Sequence, residues 1–380
     1  MSTADHRKLN VLFILHLPPP VHGAAIANNY IKNSQLINND HNTDYVSLAT
    51  NTVLAETGKG SIKKVFKFLS ILGKVVKLIS TKKYDLCYLS LTANGPAFYK
   101  DIIVVSLLKL TNKKILYHFH NKGVALAKQT KINNLLYRFA FKNTQSILLS
   151  KYLYSDIDKF VNEKQVFYCS YGIPASTIDI QNKPQKNTNN PKVSLLYLSN
   201  MMIEKGVYVL LEACVLLKKS NVPFICNFVG GWVDITPGEF ENFVMENNLS
   251  EHVFAHGPKY AEEKLNFFNN ADVFVFPTFY HYEAFPLVNL EAMQHGLPII
   301  STTEGGIPDM ISEGETGFLI PRKNAEELAN KIQYFIDNPD MAKVMGAKGK
   351  EHFDARFTID NFEKNISKII SEAGSKAIQN

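Results

Sequence analysis

Two carboxylates eight residues apart, Glu283 and Glu291 in the segment EAFPLVNLE, are the pair best suited to chemistry in this chain. The segment follows the apolar run DVFVFPT and precedes AMQHGLPIIST, so Glu283 falls one turn before a helix and Glu291 near its second turn. Carboxylate oxygens accept hydrogen bonds from sugar and ribose hydroxyls, and the free N–H groups of a helix start attract phosphate. Spacing alone also fits two exposed helix acids. His118 and His120, in KILYHFHNKG, lie on one side of a strand by alternation. They could share a metal ion, but no third ligand is suggested and a metal site is not expected. In the loop PPPVHGAA, Gly23 and the small residues after it can open a helix whose N–H groups bind an anion. G-x-G-x-x-G is absent, and an ordinary strand-to-helix turn explains this loop as well.

Short apolar runs must position these groups. VLFILHL, DLCYLSL, KILYHFH, SILLS and VFYCS recur through the first half, with helical segments between them, which indicates a parallel sheet covered by helices. After the polar stretch IQNKPQKNTNNPK a second series follows, VSLLYLS, PFICNFVG, VFAHG, DVFVFPT and LPIIST. The 380 residues therefore divide into two doubly wound α/β domains facing a cleft, the expected ligand site. The expected boundaries are 1–180, a linker over 181–192, a second domain over 193–355 and a C-terminal helix over 356–380 that packs back on the first domain. Cys87, Cys169, Cys214 and Cys226 are too scattered for zinc or a disulfide framework and read as reduced core residues, consistent with the cytosol. No run approaches the roughly 20 apolar residues needed to span a bilayer.

The net charge of +6 hides an asymmetry. Residues 1–185 carry 24 basic and 10 acidic side chains, and residues 186–380 carry 17 and 25. In SIKKVFKFLSILGKVVKLISTKK, at about 100° per residue, Lys63, Lys67, Lys74 and Lys77 share one helical face with Ser70. Val65, Phe68, Leu69, Leu72, Val75, Val76 and Ile79 fall opposite, and that face is expected to pack on its own sheet. The lysine face remains free for an anionic membrane surface, at about 1 kcal/mol for each lysine. Only four of the 41 basic residues are arginine, which argues against nucleic acid as the partner.

The second half resembles glycosyltransferase family 4, the retaining group 1 glycosyltransferases of GT-B fold, whose two domains are Rossmann-like. The family's E-x7-E matches EAFPLVNLE, and EGGIPDMISEGETGFLI is similar to its GG-pEi-dg-tG-l segment; FVGG, FAHGP and NNADVFVFPT lie in the expected places. Carried over, the resemblance implies that Glu291 holds the donor ribose, Glu283 the donor sugar, and Lys205 of SNMMIEKG the diphosphate. The amides of Phe285, Leu287 and Val288 would face the sugar or phosphates, with Gly230 and Gly23 lining the nucleotide and loop sites, and His120 matches the family's cleft histidine. Gly172 resembles a hinge turn, with Tyr171 in place of Asn. One departure stands out. The family's Gly-Arg is here Ser199-Asn200, so the companion arginine is missing; either Lys205 and backbone dipoles suffice, or another cation such as Lys122 or Arg322 substitutes. Asn324 and Glu327 have capping-box spacing beside Arg322.

The implied function is retaining transfer of a sugar from a nucleotide diphosphate sugar, expected to be a UDP-sugar, to a lipid-linked or cell-surface glycan in polysaccharide biosynthesis. The nucleotide sugar is a co-substrate, and no metal or other cofactor is expected. The expected location is the cytoplasm, peripheral on the inner face of the cell membrane. Two rivals remain at this level: a nucleotide-sugar epimerase of GT-B fold and a non-catalytic glycan-binding or scaffold protein.

Overall fold

The computed structural model describes residues 7–50, 62–175 and 192–375. The chain forms two compact units, one running to Gly172 and resuming at Ile359, the other spanning Ile173–Thr358. The expected linker lies outside the described residues except for Lys192.

In the first unit the order is β1 (Asn10–Leu15), α1 (Gly23–Asn33), α2 (Gln35–Asp40), β2 (Asn42–Ser47), α3 (Ile62–Thr81), β3 (Leu86–Ser90), α4 (Gly95–Leu110) and β4 (Ile115–His118). Then come α5 (Val124–Ala127), α6 (Lys131–Phe141), β5 (Gln145–Leu148), α7 (Tyr154–Ile157) and β6 (Val166–Tyr168). All strands pair in parallel, in the order β2-β1-β3-β4-β5-β6. The apolar runs explain this arrangement. Val11 to Leu15 of β1 and the whole of β3 are fully buried, as strands covered on both faces must be. The chain reverses direction across the sheet between β1 and β3, so their carboxyl ends flank an open crevice.

The second unit follows the same logic. Its elements are β7 (Val193–Leu198), α8 (Val207–Lys219), β8 (Phe224–Val229), α9 (Pro237–Glu246), β9 (Val253–Ala255), α10 (Ala261–Asn270) and β10 (Val273–Phe276). They continue with α11 (Leu287–Gln294), β11 (Ile299–Thr302), β12 (Gly317–Ile320), α12 (Ala325–Asp337) and α13 (Pro339–Arg356). The parallel order is β12-β11-β10-β7-β8-β9, with the reversal between β7 and β10. The last helix, α14 (Ile359–Ser375), belongs to the first unit, where it packs on α1, α2 and β3.

One sequence expectation is overturned. The apolar face of α3 does not pack wholly on its sheet, because only Val75 and Ile79 are buried. Phe68 and Leu72 are half-buried, while Val65, Leu69 and Val76 stay exposed. A helix touches a sheet along a narrow line, and the apolar stripe of α3 is wider than that line.

Candidate functional site

In the second unit the site grows out of the sheet reversal. Beyond β7 the chain makes a short 3₁₀ turn, Ile203–Lys205, closed by Gly206 at φ 86°. A Cβ on Gly206 would stand 2.3 Å from the Pro277 carbonyl oxygen, so only glycine lets this loop lie against the exit of β10. The amide of Phe279 donates to the Glu204 carbonyl at 2.8 Å and fastens the two loops together. This brings the Lys205 ammonium to 2.6 Å from Glu283 Oε2, with the tyrosine ring of Tyr280 4.4 Å beneath the cation. Both side chains are largely buried, at 15% and 10% exposure. Sequence spacing had shown neither this contact nor the role of Tyr280.

Glu283 is pinned from below. Gly305, at φ 56°, would carry a Cβ 2.3 Å from the Glu283 carbonyl, and the Gly306 amide donates to Ala284 O at 2.7 Å. Pro286 then caps α11 without a side-chain hydrogen bond and with no acid in the first turn, which leaves its positive end, at the amides of Leu287 and Val288, suited to an anion. Phe285 is buried just ahead of that turn, its ring 5.9 Å from that of Phe357 and tilted by 58°. Glu291, farther along α11, is held by Lys264 of α10 at 2.5 Å. Lys264 is a second residue that spacing could not reveal.

Gly230 acts through its missing Cβ, which would come within 1.7 Å of Ser199 O, while its own amide donates to Gly257 O at 3.0 Å. Arg322, a candidate for the missing family arginine, is engaged with the buried Glu304 at 2.9 Å, and Asn324 caps α12 by accepting from the Glu327 amide.

In the first unit the polar groups gather at the carboxyl ends of β1, β3 and β4. His120 is half-buried. Its Nδ1 accepts from the Tyr171 hydroxyl at 2.7 Å, and Nε2 lies 3.0 Å from Asn28 Oδ1 and 3.1 Å from Ser90 Oγ. Asn28 Nδ2 donates to His16 O, which fixes Oδ1 as the acceptor and so places the His120 proton on Nε2. Burial first, then the nearby imidazoles of His118, His16 and His22, hold His120 well below its ordinary value, so it is neutral. His118 is wholly buried against the Tyr88 hydroxyl, and burial pushes it down to about 3. Gly23 begins α1, where the ring of His22 accepts from the Ala25 amide at 3.3 Å. Asp101 was not foreseen. It is fully buried on α4 and accepts from the Thr92 amide at 3.0 Å, with His16 Nε2 at 3.3 Å. Burial alone would raise its pKa, but His16, Lys100 and Thr92 outweigh that and hold it below the usual carboxylate value. Among the described residues no group of three or more His, Cys, Asp or Glu is placed to hold a metal ion.

Residues 179–352, which contain this whole second-unit constellation, match the family model described as glycosyl transferases group 1. The chain carries a group 1 glycosyltransferase domain. It is a glycosyltransferase enzyme of two-domain GT-B fold. An uncharacterized glycosyltransferase of Methanocaldococcus jannaschii is 25% identical over 267 residues, covering 69% of this chain and 70% of that protein. The capsular polysaccharide biosynthesis glycosyltransferase CapM of Staphylococcus aureus is 28% identical over 167 residues, 43% of this glycosyltransferase and 41% of CapM. The alignment therefore spans less than half of CapM. The Anabaena protein HepE, solved with UDP and glucose, shares the fold at a TM-score of 0.69 and 17% identity, over 96% of this chain and 99% of that one.

Proposed function

We propose that this glycosyltransferase moves a sugar, with retention, from a UDP-sugar to a lipid-linked or cell-surface glycan in polysaccharide biosynthesis. The observation that carries the reading is the Lys205–Glu283 pair at the sheet reversal of the second unit. On this reading the donor diphosphate takes the Lys205 ammonium from Glu283 and rests on the amides that open α11. Negative charge grows on the diphosphate as it leaves, and a fixed ammonium and aligned amides stabilise that charge more in the transition state than before it. Glu283, released, accepts from the donor sugar's hydroxyls, and Glu291 accepts from the ribose.

Transfer is then front-face. The acceptor oxygen bonds to the anomeric carbon on the side the diphosphate leaves, the glycosidic C–O bond breaks, and a phosphate oxygen takes the acceptor proton. The chain's part is to bind, orient and neutralise; no divalent ion is assigned a role. With Asn200 in place of the family arginine, Lys205 and the helix amides carry the diphosphate. His120 keeps the catalytic role that the family resemblance implies. Its Nε2 proton goes to Asn28 Oδ1 and its Nδ1 accepts from the Tyr171 hydroxyl, so the neutral ring is held in a fixed orientation. CapM's role in capsular polysaccharide biosynthesis and the UDP held by HepE support the choice of acceptor class and donor. The acceptor class also sets the expected workplace, the cytoplasmic face of the membrane, with Lys63, Lys67, Lys74 and Lys77 toward anionic lipid.

The test is a panel of nucleotide sugars offered with glycan-lipid acceptors, scored by mass spectrometry for nucleotide release and by NMR for the anomeric configuration of the product. A retained anomer with UDP release in the presence of EDTA is expected. An inverted product, a product formed without acceptor, or full turnover by Lys205→Ala refutes it.

A further inference from the structure

Among the described residues of the first unit, most of the large exposed apolar side chains gather on one set of neighbouring helices. On α3 the exposed residues Ile62, Val65, Phe66, Leu69 and Val76 fall within an arc of about 100° at helical spacing, between the buried stripe of Val75 and Ile79 and the lysine face. The next helix, α4, packs beside α3 and is apolar all round; it buries Phe98, Val105 and Leu108 and exposes Tyr99, Ile103 and Leu110 on the opposite side. Beyond it α6 repeats the pattern, burying Tyr137 and Phe141 and exposing Ile132, Leu135 and Phe139. The outer sides of α4 and α6 touch: the Tyr99 hydroxyl donates to Asn133 Oδ1 at 2.7 Å, and Lys109 Nζ lies 5.5 Å above the Phe139 ring. A helix apolar on every side belongs in an apolar surrounding, and water is not one.

The charge around these stripes is predominantly basic, although Asp44 of β2 pairs with Lys82 at 2.8 Å. From Thr57 to Ser155 the sequence holds 18 Lys and Arg and only two acids. Neither acid offsets the layer. Asp101 is buried beside His16, and Asp85 is paired with Arg7 at 3.0 Å. We infer that α3, α4 and α6 together form a membrane-binding layer, whose apolar stripes enter the acyl boundary of an anionic bilayer while the lysines stay at the headgroups.

Charge complementarity selects the bilayer. A second copy of the same layer would bring lysines against lysines, and a nucleic acid would take the charge but leave the apolar stripes in water. The inference deepens the membrane placement proposed above and rests on it; it is independent of the donor-site assignment, since every residue in it lies in the first unit.

The experiment uses the full chain. Its four native cysteines are buried, so a single Leu69→Cys or Leu135→Cys variant carries an environment-sensitive dye at one site. With vesicles of phosphatidylcholine containing about one third phosphatidylglycerol, both probes should shift to the blue, and sedimentation should show binding that weakens with salt. Phe66→Ser with Leu69→Ser, and separately Ile132→Ser with Leu135→Ser, should each lower the partition coefficient about tenfold, with unchanged melting and unchanged nucleotide binding. These sites face solvent, so the variants fold. Four outcomes overturn the inference: no binding to anionic vesicles, probes that stay in water while the protein sediments, either serine variant binding as tightly as the unaltered chain, or a dimer that Leu135→Ser dissolves. Loss of sugar transfer with vesicle binding intact points instead at the second-unit site.

Discussion

Lys205 and Glu283, 78 positions apart in the chain, meet at 2.6 Å outside the adjacent carboxyl ends of β7 and β10. In the absence of donor, each neutralises the other in a poorly hydrated place. On the proposed reading, a diphosphate arriving there replaces one carboxylate by another anion, so the pair would both stabilise the second unit and keep its cation ready.

Removing one member should therefore cost stability that removing both partly restores. Lys205→Met leaves the Glu283 carboxylate alone at 10% exposure, and a loss of roughly 2–4 kcal/mol is expected. The double variant Lys205→Met, Glu283→Gln should recover at least half of it, read by urea denaturation. Equal stability of the single and double variants would show that the two groups are not coupled.

For the donor, Glu291→Gln should weaken nucleotide binding about tenfold or more, because a neutral amide accepts ribose hydroxyls less well than a carboxylate. Lys264→Met removes only the 2.5 Å tether of Glu291, and a smaller loss, about threefold, is expected. Titration calorimetry with UDP distinguishes the two. A larger effect at Lys264 than at Glu291 would make the lysine, and not the carboxylate, the ligand.

How much of this was legible beforehand follows from what each residue depends on. The strands were visible because both faces of β1, β3 and β10 are buried, so their apolar runs are unbroken. The E-x7-E segment was visible because both carboxylates depend on one helix start. Lys205 against Glu283, and Lys264 against Glu291, were not, since each joins separate loops or helices that only the sheet order brings together. Asp101 escaped notice because an isolated acid in an apolar helix gives no sign of its partner, and His16 lies 85 residues away. The exposed side of α3 was misjudged for a different reason: periodicity shows which residues share a face and says nothing of how much of that face a sheet covers.

The buried histidines predict how stability changes with acid. In the unfolded chain an imidazole gains its proton as pH falls through about 6.5, whereas His118 in the fold holds off until about 3. The unfolded state binds more protons across that window, so stability is complete above about pH 6.5 and is lost progressively as the pH falls toward 3. The contribution of His118 alone should be about 2 kcal/mol smaller at about pH 5 than at about pH 8. His118→Gln, which can still accept from Tyr88, should flatten the dependence by that amount in urea titrations at the two pH values. A slope unchanged by the substitution would mean that the histidine is charged in the fold.

Glycines give the last and most direct contrast. At Gly230 an added methyl would lie 1.7 Å from the Ser199 carbonyl oxygen, and that oxygen cannot retreat, because the Ser199 amide is tied to Val229 O at 3.0 Å at the end of the paired strands β7 and β8. Gly230→Ala should therefore force the two strand ends apart, with a loss above about 3 kcal/mol and nucleotide binding lost with it. Gly73, in the middle of α3, has no atom within 4 Å of the same added methyl. There alanine only removes freedom from the unfolded chain and improves helix propensity, for a gain of about 1 kcal/mol. The two substitutions are chemically identical and lie in different units, so each should move its own unfolding transition and in the opposite direction. Two shifts of the same sign would show that close approach at Gly230 does not govern that unit's stability.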